Sequence, residues 1–149
     1  MMKNDPLLIL LVDDDESDCL LFKDALKELN IKTIIHTVSD GYAMTDHLGK
    51  EGNKLPHLIF LDLNLPGKSG IDCLKEIRNN KAYSEVSIAI FSTTATEKDI
   101  DETFILGANV YIQKPSSFEV LKQSLRKVIM SAYQYQEAPF NKAYFLLRV

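Results

Sequence analysis

Cysteine is scarce in this 149-residue chain: Cys19 and Cys73 are the only two. Each falls in a helix-like stretch, so they read as inert buried thiols in a reducing cytosol rather than as a disulfide framework. Long apolar runs are also missing. No stretch approaches the ~20 residues of a membrane span. The residues ahead of Leu7 carry no basic-then-apolar leader, so a cytoplasmic protein with no membrane role is expected. Positive charge is not in excess either: the net charge is −4 and no helix is rich in Lys and Arg, which argues against a direct nucleic-acid reader. What is present is ordinary for a folded domain, 46% hydrophobic and 26% charged, and long enough to bury a core without staples.

Apolar runs alternate with helix-like periodicity along the chain. Leu7–Val12 is a first strand, followed by a helix in which Phe22, Ala25, Leu26 and Leu29 share one face and Asn30 is the stop. Thr33–Val38 is a second strand, and Asp40-Gly41 turns the chain into a short helix over Tyr42–Leu48. A polar loop runs from Gly49 to Pro56. Leu58–Leu61 is a third strand, and Ile71, Leu74 and Ile77 mark the helix behind it. Val86–Phe91 is a fourth strand, Ile100 and Phe104 mark a helix closed by Gly107, and Val110–Ile112 is a fifth strand. Ser117 is placed to cap a last helix carrying Leu121, Leu125, Val128 and Ile129. Strands apolar on both faces, alternating with helices, predict an α/β fold: a doubly wound, five-stranded parallel sheet covered on both sides. The expected organisation is one domain over residues 1–132 and a tail over 133–149, with no separate output domain.

The strand ends carry the chemistry. In an open parallel sheet ligands bind beyond the carboxyl ends of the strands, where the strand order reverses. With order 2-1-3-4-5 that crevice lies between strands one and three, which end in Asp13-Asp14 and in Asp62. The fourth strand ends at Ser92 and the fifth leads to Lys114. Mg²⁺ prefers six oxygens and usually takes one or two carboxylates plus phosphate oxygens. Asp14 and Asp62 supply the carboxylates, the backbone carbonyl of Asn64 supplies a third oxygen, and Asp13 is placed to anchor metal-bound water. Asp62 is a carboxylate able to attack phosphorus. Lys114 offsets charge on the transferred group, and the Ser92 hydroxyl offers it a hydrogen bond. Each feature alone has a plainer reading: three acids suit a helix start, Ser92-Thr93-Thr94 suits a cap, and Lys-Pro suits a surface turn. Their coincidence at matching strand ends favours the functional reading.

These residues carry a family likeness. Over roughly Leu7 to Met130 the chain resembles the receiver domain of two-component response regulators: Val12-Asp13-Asp14 is similar to the family's acidic pair, Asp62-Leu63-Asn64-Leu65-Pro66 with Gly70 to its phosphorylation motif, and Lys114-Pro115 to its lysine-proline step. Ser92 matches the Ser/Thr switch position and Tyr111 the aromatic one. The resemblance implies the flavodoxin-like order 2-1-3-4-5 and a switched binding module, phosphorylated on Asp62 by a sensor histidine kinase in a Mg²⁺-dependent reaction. It further implies that the ring of Tyr111 rotates inward when Ser92 moves toward the phosphoryl group. Departures are the third acid, Asp15, expected to face solvent, and Thr93, which narrows access. The loop Gly49–Pro56 and the wording of the phosphorylation motif are similar to small regulators that pair with bacterial phytochrome kinases.

Rival functions fail on named residues. A haloacid-dehalogenase-type phosphatase needs an acid two residues after its nucleophile, where this chain has Asn64. A flavin or dinucleotide module needs a glycine-rich turn after the first strand, where this chain has Asp13-Asp14-Asp15-Glu16. A phosphorelay intermediate stays open as a subtype. Output is expected through a downstream protein partner, and a homodimer through the face of the fourth helix, fifth strand and fifth helix. The aromatic tail, with Tyr133, Tyr135, Phe140, Tyr144 and Phe145, is expected either to cross that face or to pack back on its own domain.

Overall fold

The computed structural model describes residues 5–134 and 146–147. Five strands, β1 (Leu7–Val12), β2 (Thr33–Val38), β3 (Leu58–Leu61), β4 (Ser87–Ser92) and β5 (Val110–Gln113), alternate with five helices. These are α1 (Glu16–Glu28), α2 (Gly41–Gly49), α3 (Gly70–Arg78), α4 (Glu97–Ile105) and α5 (Phe118–Gln134). The strands are parallel in the order β2-β1-β3-β4-β5, as the sequence predicts.

Successive residues of a strand point to opposite faces, so each strand feeds two cores. On one face Leu10, Val12, Ile59, Leu61, Ile88 and Ile90 meet Met44, Leu74 and Ile77 from α2 and α3, together with Ile100 of α4. On the other, Ile9, Leu11, Phe60 and Phe91 meet Phe22, Leu26, Leu125 and Ile129 from α1 and α5. There Phe22 lies edge-on to Phe60 with ring centroids 4.8 Å apart. Burying one such side chain contributes about 1.5–3 kcal/mol, so the two layers hold the carboxyl ends of β1, β3, β4 and β5 as one rigid rim.

Local chemistry sets the element ends. Asp15, Asp40, Ser69 and Thr96 cap α1, α2, α3 and α4, each accepting from a backbone N–H three residues on. Asn30 stops the first helical stretch in the left-handed region at φ 56°, and Gly107 does the same after α4 at φ 101°. Ser117 accepts from the Val120 N–H at 3.4 Å, as expected of a cap for α5.

The sheet has a sixth strand that the sequence reading missed. Leu146–Leu147 (β6) pairs in parallel with Tyr111 and Ile112 on the outer edge of β5. Part of the tail therefore joins the sheet instead of lying beyond the fold. Parallel neighbours need a long crossover, and α5 supplies most of it. The expected tail boundary at Tyr133 falls inside α5, which runs to Gln134. Tyr135, Phe140, Tyr144 and Phe145 lie outside the described residues.

Cys19 and Cys73 are free, the first half-buried and the second fully buried. Burial pushes both thiols up to about 11, so at neutral pH they are protonated and poor nucleophiles.

Candidate functional site

The rim of the sheet brings the expected residues together. Asp62 follows β3 directly and is buried, at 5% exposure. Its Oδ1 accepts from the backbone N–H of Asn64 at 2.9 Å, so the carboxylate folds the turn that carries the Asn64 carbonyl. Gly70 closes the same loop: its N–H donates to the Leu63 carbonyl at 3.0 Å, and a Cβ there would lie 2.2 Å from the Asp62 carbonyl oxygen. Only glycine fits so close an approach of backbone to backbone. Two residues before Gly70 the loop is clamped to α2 and α3, where Lys68 bonds Glu76 and Thr45.

Asp13 ends β1 on the neighbouring side. It is 3% exposed; its Oδ1 accepts from the Asp15 N–H at 2.9 Å, and its Oδ2 lies 2.8 Å from Lys114 Nζ. That ion pair lacks the alignment of a hydrogen bond, leaving Oδ2 a buried acceptor without a well-directed donor. Burial raises the Asp13 pKa above the usual carboxylate value, with Lys114 and the Asp15 N–H opposing. Asp14 is exposed, and its carboxylate faces the same point: ligand atoms of Asp13, Asp14 and Asp62 all lie within 4.8 Å of one another. Three carboxylate oxygens at that separation repel one another, and a hard divalent cation relieves the repulsion. The under-donated Oδ2 of Asp13 and the oxygen-only donor set fit such an ion.

Lys114 enters from the β5–α5 turn, with its side chain only 9% exposed. Its ammonium reaches Asp62 Oδ2 at 3.0 Å, as expected, and also Asp18 Oδ2 at 2.9 Å, which the sequence reading did not foresee. Burial alone would lower the pKa of this lysine, but the surrounding carboxylates of Asp13, Asp18 and Asp62 outweigh it and hold the group charged well above the ordinary lysine range. Asp18 sits in the first turn of α1. An acid one turn after Asp14 was the only available signal, and helix-start chemistry already gives it a sufficient reason. Asp15 faces solvent as expected and serves as the cap of α1.

Ser92, the last residue of β4, is fully buried. Its hydroxyl meets the Thr94 N–H at 3.4 Å and the Thr94 hydroxyl at 3.5 Å in the next turn, and it also bonds the Tyr111 phenol. Thr93 is exposed. Tyr111 stands on β5 opposite Ile90 of β4. Its side chain is already fully buried, with the phenol donating to the Thr94 carbonyl at 2.6 Å. The apolar β4–β5 environment holds the ring in, and the Thr94 carbonyl satisfies the hydroxyl that such burial would otherwise strand.

A parallel 2-1-3-4-5 sheet whose switch point holds an acidic pair, a strand-end aspartate and a buried lysine defines the receiver class of signalling domain. Residues 9–126 match the response regulator receiver domain, and the chain belongs to that family. It is similar to the response regulator Rcp1 of Synechocystis sp., with 33% identity over 122 residues that cover 79% of this chain and 83% of Rcp1. Among solved structures, the phosphorylated cyanobacterial phytochrome response regulator RcpA is 30% identical with a TM-score of 0.78, covering 91% of this chain and 98% of that one. The Mn²⁺-bound form of Rcp1 is 28% identical with a TM-score of 0.76, covering 91% of this chain and 99% of that one.

Proposed function

We propose that this chain accepts a phosphoryl group from a histidine kinase on the carboxylate of Asp62, in a Mg²⁺-dependent reaction, and converts that event into a changed protein-binding surface. The observation that carries the reading is the convergence of Asp13, Asp14 and Asp62 within 4.8 Å, with Lys114 Nζ 3.0 Å from Asp62 Oδ2. In the transfer, an Asp62 oxygen forms the new P–O bond as the P–N bond to the donor imidazole breaks, and solvent returns a proton to that imidazole. Asp14, Asp62 and the Asn64 carbonyl would hold the Mg²⁺, and Asp13 would orient its water. The cation supplies charge neutralisation at the phosphoryl oxygens. Lys114 adds a fixed positive group on the protein side, and the Asn64 N–H keeps the Asp62 carboxylate in a set orientation. Asn64 cannot donate the proton that a phosphatase-type second step needs, and its N–H is already used on Asp62.

The switch runs through Thr94. A phosphoryl group offers new acceptor oxygens, and the Ser92 hydroxyl, loosely bonded to Thr94, turns toward them. Thr94 is also tied to Tyr111, so the β4–α4 turn and α4 shift with it. The responding surface is the face of α4 and α5, on which Ile105 is 79% exposed and Met130 48% exposed. A homodimer or a downstream protein would meet it there. Similarity to Rcp1 and to RcpA, the latter described as a phytochrome response regulator, supports a phytochrome-type histidine kinase as the input.

Incubation with a small phosphodonor and Mg²⁺, followed by intact-mass measurement, tests the reading. One phosphoryl group is expected on the parent and none on Asp62→Asn. Undiminished labelling of that variant would sink the assignment.

A further inference from the structure

Lys114 faces more carboxylates than the phosphoacceptor site requires. Its Nζ lies 2.8 Å from Asp13, 2.9 Å from Asp18 and 3.0 Å from Asp62, yet only the Asp18 and Asp62 oxygens accept along hydrogen-bond lines. Asp18 stands outside the cation-binding group of Asp13, Asp14 and Asp62. It also differs from the other partners of Lys114 in exposure: its side chain is 32% exposed, against 0% for Asp13 and 7% for Asp62.

We propose that Asp18 is a positioning residue that competes with the phosphoryl group for Lys114, and so sets how tightly that group is held. The inference rests on the reading of Asp62 as phosphoacceptor. An ammonium has three donors, and here it is surrounded by three carboxylates. All three carboxylates crowd the ammonium within 3.0 Å, so a phosphoryl oxygen on Asp62 reaches Lys114 only as a present neighbour draws back. Release of Asp13 would strand a buried carboxylate, whereas release of Asp18 leaves one that water can solvate. Asp18 is thus the partner that yields. Its backbone is held independently of its carboxylate, because the Asp18 N–H donates to the capping Asp15 side chain at 3.0 Å. The side chain can therefore let go of Lys114 without unwinding α1.

A purely structural role, an acid at a helix start, predicts a change in stability and no selective change in anion binding. Beryllofluoride, a noncovalent mimic of the phosphoryl group, separates the two. Its affinity for the full chain in saturating Mg²⁺ would be measured by calorimetry for the parent, Asp18→Asn, Asp18→Ala and Asp15→Asn. The last variant removes the same charge from the same helix start while keeping a good cap. The two Asp18 variants are expected to bind beryllofluoride more tightly, by about two- to fivefold, the scale of one partly exposed ion pair. Asp15→Asn is expected to bind as the parent does. Unchanged or weaker binding in the Asp18 variants, or an equal gain in Asp15→Asn, would overturn the competition. Failure of the parent itself to bind beryllofluoride in Mg²⁺ would instead fell the phosphoacceptor reading, and this proposal with it.

Discussion

Lys114 stands against Asp13, Asp18 and Asp62 in a place where water reaches it little. Breaking a buried ion pair by removing one partner costs about 3–5 kcal/mol, because the remaining charge is left uncompensated. Lys114→Met should therefore lower the stability of the metal-free protein by about 3 kcal/mol at neutral pH, roughly 6–12 °C in Tm for a domain of this size. The pH dependence follows from the neighbours. Burial first, only partly opposed by Lys114, raises the Asp13 pKa above 3.8, so the folded state binds that proton more tightly than the unfolded chain. The ionised form is a cost at neutral pH, relieved as pH falls through the folded value. The deficit of Lys114→Met should accordingly shrink on acidification, because a protonated Asp13 no longer needs the cation. Lys114 has the same sense of linkage in a different range: its raised pKa gives stability that is full below 10.5 and lost only in strong alkali. Thermal melts of both proteins in a chelator across the acid range check this, and a deficit that grows toward acid would contradict it. Asp62 and Asp13 were legible in the sequence because each ends an apolar run, where a polar group has few purposes, and Lys114 because it follows the fifth strand directly before Pro115. Asp18 was not, because an acid in the first turn of a helix is explained by the helix itself.

Among the elements, the β3–α3 loop matters most, since it carries the turn next to Asp62. Gly70 closes it at one end. Just ahead of Gly70, Lys68 bonds Glu76 and Thr45 while Tyr42 lies against Gly67, whose φ is 74°. Burial alone would raise the Glu76 pKa, but the Lys68 and Thr45 hydrogen bonds outweigh it and hold the carboxyl below 4.5. A depressed carboxylate contributes stability above its unfolded value, and that stability is lost as pH falls through the folded one. Glu76→Gln should therefore melt below the parent at neutral pH, and the gap should close in acid beneath 4.5. A constant gap at all pH values would show that packing, not charge, makes the clamp. Strand and helix positions were readable from periodicity, with β1, β2 and β3 starting and ending where their apolar runs do. The clamp was not readable, because Thr45, Lys68 and Glu76 come from three segments and each alone resembles a solvated surface residue. The anchoring of Tyr111 was hidden for a similar reason: its hydroxyl bonds a backbone carbonyl, that of Thr94.

For the molecule as a whole, the two edges of the sheet differ. β2 forms one outer edge of the described sheet, and β6 covers β5 at the other. An uncovered strand edge invites pairing with another chain. Deletion of residues 135–149 should thus lower Tm and promote concentration-dependent self-association, measured by sedimentation. Unaltered melting and sedimentation would mean that β6 contributes nothing to the fold. The pairing of β1 with β3 was legible because strand ends carrying Asp13, Asp14 and Asp62 must be neighbours to act together, and the rest of the five-strand order is what the family resemblance implies. The sixth strand was not, since Leu146-Leu147 is too short a run to announce a strand and pairs only because β5 presents an edge. The proposed function makes the Asp62 carboxylate the point where signal becomes structure. Borohydride trapping tests that claim most directly, since it reduces an aspartyl phosphate to homoserine. After treatment with phosphodonor and Mg²⁺, peptide mapping should find homoserine at position 62. Homoserine at position 13 or 14 in its place, or at no position in a protein that has taken up phosphate, would contradict the account.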